Sequence, residues 1–279
     1  MQAALLDDRA IIAVSGAEAR SFLQGLVTND MDACVPGRAI YAALLTPQGK
    51  ILFEFFIVAG GENLFFLDAA AARASDLVKR LSLYRLRAKV EIALRPDLAV
   101  AAIWGDDANA EIKPDALAFR DPRLAALGVR MTDTRDGLAA AIRGIAQGDY
   151  HSHRLTLGVP DSADLPSDQV FALDAGLEEL NGVSFKKGCY VGQEVTSRMK
   201  HRATARRRFT IAEISGDLPP PGTPLESEGR ELGTLGVGKA GRGLALVRLD
   251  RLAEAEGKGA PITAAGRSVV FRKPGWFGG

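Results

Sequence analysis

The chain alternates between runs with the two-residue period of a strand and runs with the three-to-four-residue spacing of a helix. Residues 9–14 (Arg-Ala-Ile-Ile-Ala-Val) read as a strand. Ser15, with Glu18 three positions on, predicts a capping box and a helix starting near Gly16, with Phe22, Leu23, Leu26 and Val27 on one face. Thr46-Pro47-Gln48-Gly49-Lys50 is a turn between two β-rich runs, 39–45 and 51–58. Gly60-Gly61-Glu62-Asn63 is a second turn, leading to an apolar run at 64–67. A helix is predicted over about 69–83, with Leu77, Leu81 and Tyr84 at helical spacing, and strands at 89–94 and 98–104. Strand, turn, strand, helix and strand in close succession predict a compact α+β subdomain. Further helical patterns cover 134–148 and, briefly, 174–180. After Thr204 short β-like runs separated by glycines continue to about residue 272, which predicts a small all-β domain closed as a barrel.

Composition narrows the class. The 279 residues are enough for two or three domains with real cores, and 47% apolar with 25% charged residues is ordinary for a globular protein. Lys plus Arg (35) nearly balance Asp plus Glu (34), and a net charge of +1 argues against nucleic acid as a direct partner. No apolar run approaches the ~18–20 residues of a membrane helix, so no membrane partner is expected. Two cysteines, Cys34 and Cys189, are too few for a disulfide framework. Asp7 and Asp8 come early and no basic start precedes an apolar core, so neither a signal peptide nor a transit peptide is expected. The expected location is cytoplasmic.

The densest chemistry lies in Ser184-Phe185-Lys186-Lys187-Gly188-Cys189-Tyr190-Val191-Gly192-Gln193-Glu194. It brings a thiol, two ammonium groups, a phenol, an amide and a carboxylate into one segment. Good helix formers follow to Lys200, so a helix is expected to open at Gly192 or Gln193. Cys189 then sits just ahead of a helix N-terminus beside two lysines, a setting that favours thiolate. Cys34 has no basic partner in sequence and reads as structural.

Lys-Lys-Gly-Cys-Tyr-Val-Gly-Gln-Glu resembles the K-G-C-[YF]-x-G-Q-E signature of the YgfZ-type folate-binding proteins, relatives of the glycine cleavage T-protein. Phe22-Leu23-Gln24-Gly25 through Thr28-Asn29-Asp30, Asp121-Pro122-Arg123 with Leu127-Gly128-Val129-Arg130, and Arg154 through Gly158-Val159-Pro160 are similar to further segments of that family. The likeness runs from about residue 21 to 250. It implies an α+β, three-domain T-protein-like architecture. A discontinuous first domain would span 1–45 and 96–203, an inserted ferredoxin-like domain 46–95, and a C-terminal β-barrel 204–279.

The resemblance also implies a folate-binding protein that assists assembly or repair of iron–sulfur cluster enzymes, with an indirect effect on tRNA modification. Tetrahydrofolate or a derivative is the implied cofactor, with no stably bound metal, and assembly or client proteins are the implied partners. Cys189 is the implied functional thiol. Folate contacts are carried onto Asn29, Arg154, Asp174, Lys187, Tyr190, Gln193 and Glu194. A pterin edge wants one carboxylate (Asp174, Glu178 or Glu194), the ring wants a wall such as Tyr190, and the glutamate tail wants Arg154 or Lys187. The alternative is a tetrahydrofolate-dependent aminomethyltransferase-like enzyme. Against it, the T-protein carries an acidic pair in the strand where this chain reads Phe53-Glu54, and a misplacement of ~1 Å can cost on the order of a hundredfold in rate. An RNA-binding reading of the basic run Lys200, His201, Arg202, Arg206, Arg207 and Arg208 is a third alternative.

Two patterns are set aside. Gly236-Val237-Gly238-Lys239-Ala240-Gly241 satisfies G-x-G-x-x-G, but a β-like run follows where a dinucleotide site needs a helix. His151 and His153 lack the third and fourth ligands of a metal site.

Overall fold

The computed structural model describes residues 1–105, 117–202 and 206–278. Its helices among these residues are α1 Ala19–Gln24, α2 Ala74–Arg85, α3 Arg135–Ala141, α4 Tyr150–Leu157, α5 Gln193–His201 and α6 Leu249–Gly257. The strands form three sheets. One runs Ala146–Gln147, Gln2–Leu5, Ala99–Trp104, Val129–Asp133, Leu117–Arg120. The second runs Ile40–Leu45, Ile51–Gly61, Leu64–Ala70, Arg9–Ser15, Glu91–Leu94. The third closes into a barrel from Arg207–Ile214 through Arg242–Arg248, Arg230–Lys239, Pro224–Ser227 and Thr263–Ala264 to Arg267–Arg272. The fold is α+β with a closed six-stranded C-terminal barrel.

The second sheet is buried on both faces, which is why its strands read as nearly unbroken apolar runs. Phe53, Phe55 and Ile57 face one core with Leu77 and Leu81 of α2 and Leu23 of α1. Phe56, Val58 and Tyr41 face another, together with Phe119 and Leu177. Glu54, the one charged residue among 51–59, falls on this second, interior face.

Several expectations need correction. Strand Ile40–Leu45 pairs with Ile51–Gly61, and Arg9–Ser15 pairs with Leu64–Ala70, so a divide at 45/46 cuts through one sheet. The expected boundary at 203/204 lies outside the described residues. Ser15 and Glu18 do not build a capping box: α1 starts at Ala19, and Glu18 instead accepts the Lys89 amide at 2.6 Å. The helix predicted over 69–83 begins only at Ala74, because the preceding residues continue the strand to Ala70. The pattern at 134–148 stops as helix at Ala141; Gly144 then turns with φ 83°, and Ala146–Gln147 joins the first sheet beside Gln2–Leu5. Residues 174–180 form consecutive turns rather than an α-helix. The barrel is not all-β, since α6 packs Leu252 and Ala255 into its core. His151 and His153 stand on α4. The set-aside glycine pattern forms a β-hairpin that turns at Ala240 and Gly241, both with positive φ.

Candidate functional site

Two segments far apart in sequence make one structure around Cys189. The Thr28 hydroxyl donates to the Gly182 carbonyl at 2.6 Å and accepts the Ala43 amide at 2.8 Å, while the Thr28 carbonyl accepts the Ser184 amide at 3.0 Å. The Asn29 amide nitrogen donates to the carbonyls of Tyr41 (2.8 Å) and Asn181 (2.7 Å). Lys187 turns inward and its ammonium donates to the carbonyls of Gln24 (2.6 Å), Val27 (2.6 Å) and Asn29 (3.0 Å). These are chain-end carbonyls of α1 and the turn after it, which otherwise lack helical partners. Burial pushes the Lys187 ammonium down to about 8, against the opposing pull of the Asp30 carboxylate. The ammonium also lies 5.1 Å from the centroid of the Tyr190 ring.

Lys187 and Tyr190 are therefore both buried anchors, and Gly188-Cys189 between them is exposed. The Tyr190 hydroxyl lies buried beside Thr196 without a hydrogen bond of normal geometry, and burial raises it to about 12. Gly192 caps α5 with φ 83°. A Cβ there would meet the Thr46 carbonyl oxygen at 2.5 Å and the Leu45 Cβ at 3.0 Å. The loop is thus pressed against the Thr46–Gly49 turn where only glycine fits. Cys34, by contrast, is buried, donates to the Ile57 carbonyl at 3.4 Å and is pushed up to about 11 by burial. It is a packed thiol.

Of the residues expected to contact folate, Asn29, Lys187, Tyr190 and Gln193 adjoin one another at this loop, while Arg154 and Asp174 are engaged elsewhere. Arg154 is buried and spent on Asp161 and Asp164, both at 2.7 Å, and on the Val159 carbonyl at 3.1 Å. Asp164 itself is raised to about 6 by burial, against the pull of Arg154. Lys187 has used its three donors. Asp174 is buried at the barrel junction, where it accepts the Arg207 amide at 3.4 Å. Glu194 is exposed and paired with Arg198 at 2.7 Å, and Glu178 is paired with Lys200. Gln193 opens α5 and donates its amide to the Tyr190 carbonyl at 3.2 Å.

Sequence reasoning missed the cleft beside this loop. It encloses about 960 Å³ and is lined by Asn29, Arg38, Arg120, Asp121, Asn181, Phe185, Lys186 and Lys200, among others. Its cations come from four separate segments, so no local run announced it. The Lys200 ammonium lies 4.2 Å from the Phe185 ring centroid, and Asp121 is held by Arg123 at 2.8 Å. Behind that pair the interior holds the orphaned Tyr41 hydroxyl and Glu54 Oε2. The other Glu54 oxygen accepts from Arg9 at 3.0 Å and from Ser162. No group of three or more metal-ligating side chains occurs among the described residues.

The fold is that of the T-protein class. The family described as GCVT N-terminal domain matches residues 6–121, and the one described as CAF17, C-terminal beta-barrel domain, matches 206–279. The crystal structure of glycine cleavage system aminomethyltransferase T from Bartonella henselae superposes with a TM-score of 0.77 over 99% of this chain and 86% of that one, at 17% identity. The chain belongs to the iron–sulfur cluster assembly factor IBA57 family. It is 33% identical to the mitochondrial factor of Mus musculus and 34% to that of Homo sapiens, in each case over 88% of this chain and 77% of the relative. The Neurospora crassa homolog is 30% identical, over 81% of this chain and 56% of its own length. These relatives are mitochondrial, which corrects the cytoplasmic expectation: an acidic start without a leader-like pattern did not carry that information.

Proposed function

We propose that this protein supports iron–sulfur cluster assembly by presenting Cys189 to a partner protein, with folate held in the cleft beside it. The observation that carries the reading is the exposure of Cys189 between two buried anchors, Lys187 and Tyr190. A side chain fixed in this way reaches outward without freedom to collapse onto its own surface. One thiolate cannot hold a cluster that normally takes four, so the remaining ligands belong to the partner. Effects on tRNA modification would follow indirectly through cluster-dependent enzymes.

The cleft suits the aryl-glutamate half of a folate: Phe185 is an aromatic wall, and Arg38, Arg120 and Lys186 suit carboxylates, while Lys200 is held by Glu178. The pterin edge has no free carboxylate in that lining, because Asp121 is committed to Arg123. The transferase alternative draws on the fold alone, and Glu54, clamped by Arg9 and Ser162, is poorly placed to act as a base.

In a strain lacking the endogenous factor, Cys189→Ser is expected to fold, by circular dichroism, yet to lose cluster-enzyme activity. Full rescue by Cys189→Ala would end the thiol reading. Tetrahydrofolate titrated into purified wild type and Cys189→Ala is expected to bind both alike. Arg120→Glu with Lys186→Glu is expected to weaken that binding on the order of tenfold or more, as loss of charge-assisted contacts dictates. Formation of methylenetetrahydrofolate from an aminomethyl donor would favour the transferase instead.

A further inference from the structure

The end of α2 carries a surface that the proposed function does not use. Leu77 and Leu81 bury one face of the helix against the second sheet. Leu83, two positions beyond Leu81, lies on the far side and is 70% exposed. Leu86, the C-cap, is 87% exposed and has φ 44°, a backbone region that leucine rarely adopts. Arg80, Arg85, Arg87 and Lys89, all exposed, lie within three positions of one or other leucine in the chain. Among the described residues none of these four side chains makes an ion pair or hydrogen bond, whereas Lys79 is matched by Asp76 at 3.7 Å. The patch is thus apolar at its tip and cationic around it, with the Glu18 carboxylate at its edge on the Lys89 amide.

We propose that this knob binds an anionic lipid surface, with Leu83 and Leu86 entering the headgroup layer and the four cations meeting lipid phosphates. The size of the patch favours lipid over protein. Six residues fall well short of the ~20–30 per side of a stable protein interface. A bilayer demands no complementary shape, only apolar insertion and opposite charge. Nothing in this mode needs a spanning helix, and no described helix is long and apolar enough to be one.

Flotation with phosphatidylcholine vesicles, with and without phosphatidylglycerol, tests it. Wild type is expected to float with the anionic vesicles, to stay behind with the neutral ones, and to be released by salt. Arg85→Glu with Arg87→Glu is expected to weaken partitioning on the order of thirtyfold or more, at roughly fivefold per cation removed and with repulsion added. Leu83→Asp with Leu86→Asp is expected to abolish it. All four positions are exposed, so these variants should keep the wild-type circular dichroism spectrum. Arg206→Glu with Arg207→Glu, on the barrel, is expected to leave flotation unchanged. Wild type that fails to float overturns the proposal and leaves an acidic protein as the occupant of the patch. Flotation that survives both α2 variants overturns it as well.

Discussion

Replacing Asp68 by alanine is expected to destabilise the protein by about 3–5 kcal/mol, the usual cost of leaving buried charge without its partner. Asp68 is fully buried, with one oxygen 2.6 Å from Arg9 Nε and the other 2.6 Å from an Arg130 nitrogen. Its backbone carbonyl accepts a second Arg9 donor at 2.6 Å. The three-way contact ties strand Arg9–Ser15 and strand Leu64–Ala70 of the second sheet to strand Val129–Asp133 of the first. The guanidinium carbons of Arg9, Arg123 and Arg130 also lie 5.8, 4.7 and 4.5 Å from the Phe56 ring centroid. Without Asp68, Arg9 would retain Glu54, and Arg130 would lose its ion pair.

Burial by itself would raise the Asp68 pKa; Arg130 and Arg9 outweigh it and hold the carboxyl below the usual range. The sign of the pH dependence follows. Its stabilisation is complete above the unfolded carboxylate pKa of about 3.9, and is lost as pH falls through the lower folded value. Urea unfolding midpoints, followed separately by fluorescence and circular dichroism, would measure the loss. A change under about 1 kcal/mol in Asp68→Ala would mean that water reaches the arginines and that the network is not dry.

How far the sequence carried depends on range. The turn at Thr46–Lys50, the strands flanking it, the opening of α5 at Gly192–Gln193 and the barrel were all readable, because local propensity and glycine position decide them. The boundaries that slipped did so where tertiary pairing overrode propensity, as when Leu64–Ala70 stayed a strand to complete its ladder. The site was legible only in part. Cys189 could be singled out by its neighbours in sequence, but Lys186 and Lys187 had equal claim to solvent. What sends Lys187 inward is a set of carbonyls 158 to 163 positions away. Arg154 was a plausible ligand for an anion until Asp161 and Asp164 folded onto it. In both cases the charge is spent on the scaffold, while cations that attracted no notice, Arg38 ahead of strand Ile40–Leu45 and Arg120 at the end of strand Leu117–Arg120, are brought to the cleft by the tertiary fold.

Gly192→Ala is expected to disable the protein with its thiol intact. The residue holds φ 83°, which costs a non-glycine residue about 1–3 kcal/mol, and the new Cβ would sit 2.5 Å from the Thr46 carbonyl oxygen. Overpacking against backbone adds about 1–3 kcal/mol, so a total loss of about 2–6 kcal/mol is expected. Part of it would be relieved by lifting the loop off the Thr46–Gly49 turn. The lift acts on α5, whose Val195 packs against Gly49, and on Tyr190, whose carbonyl accepts the Gln193 amide. Cys189 would then no longer be held at a fixed height above Lys187. Cluster-enzyme activity in the deletion strain is expected to fall nearly as far as with Cys189→Ser, although alkylation should show Cys189 still present and at least as reactive as in wild type. Lys187→Met is the companion variant: it strands three carbonyls rather than adding a clash, and it should loosen the same loop from the other side. If both variants kept wild-type cluster-enzyme activity while losing stability, the anchors would be packing elements only, and the position of the thiol would not matter to its use.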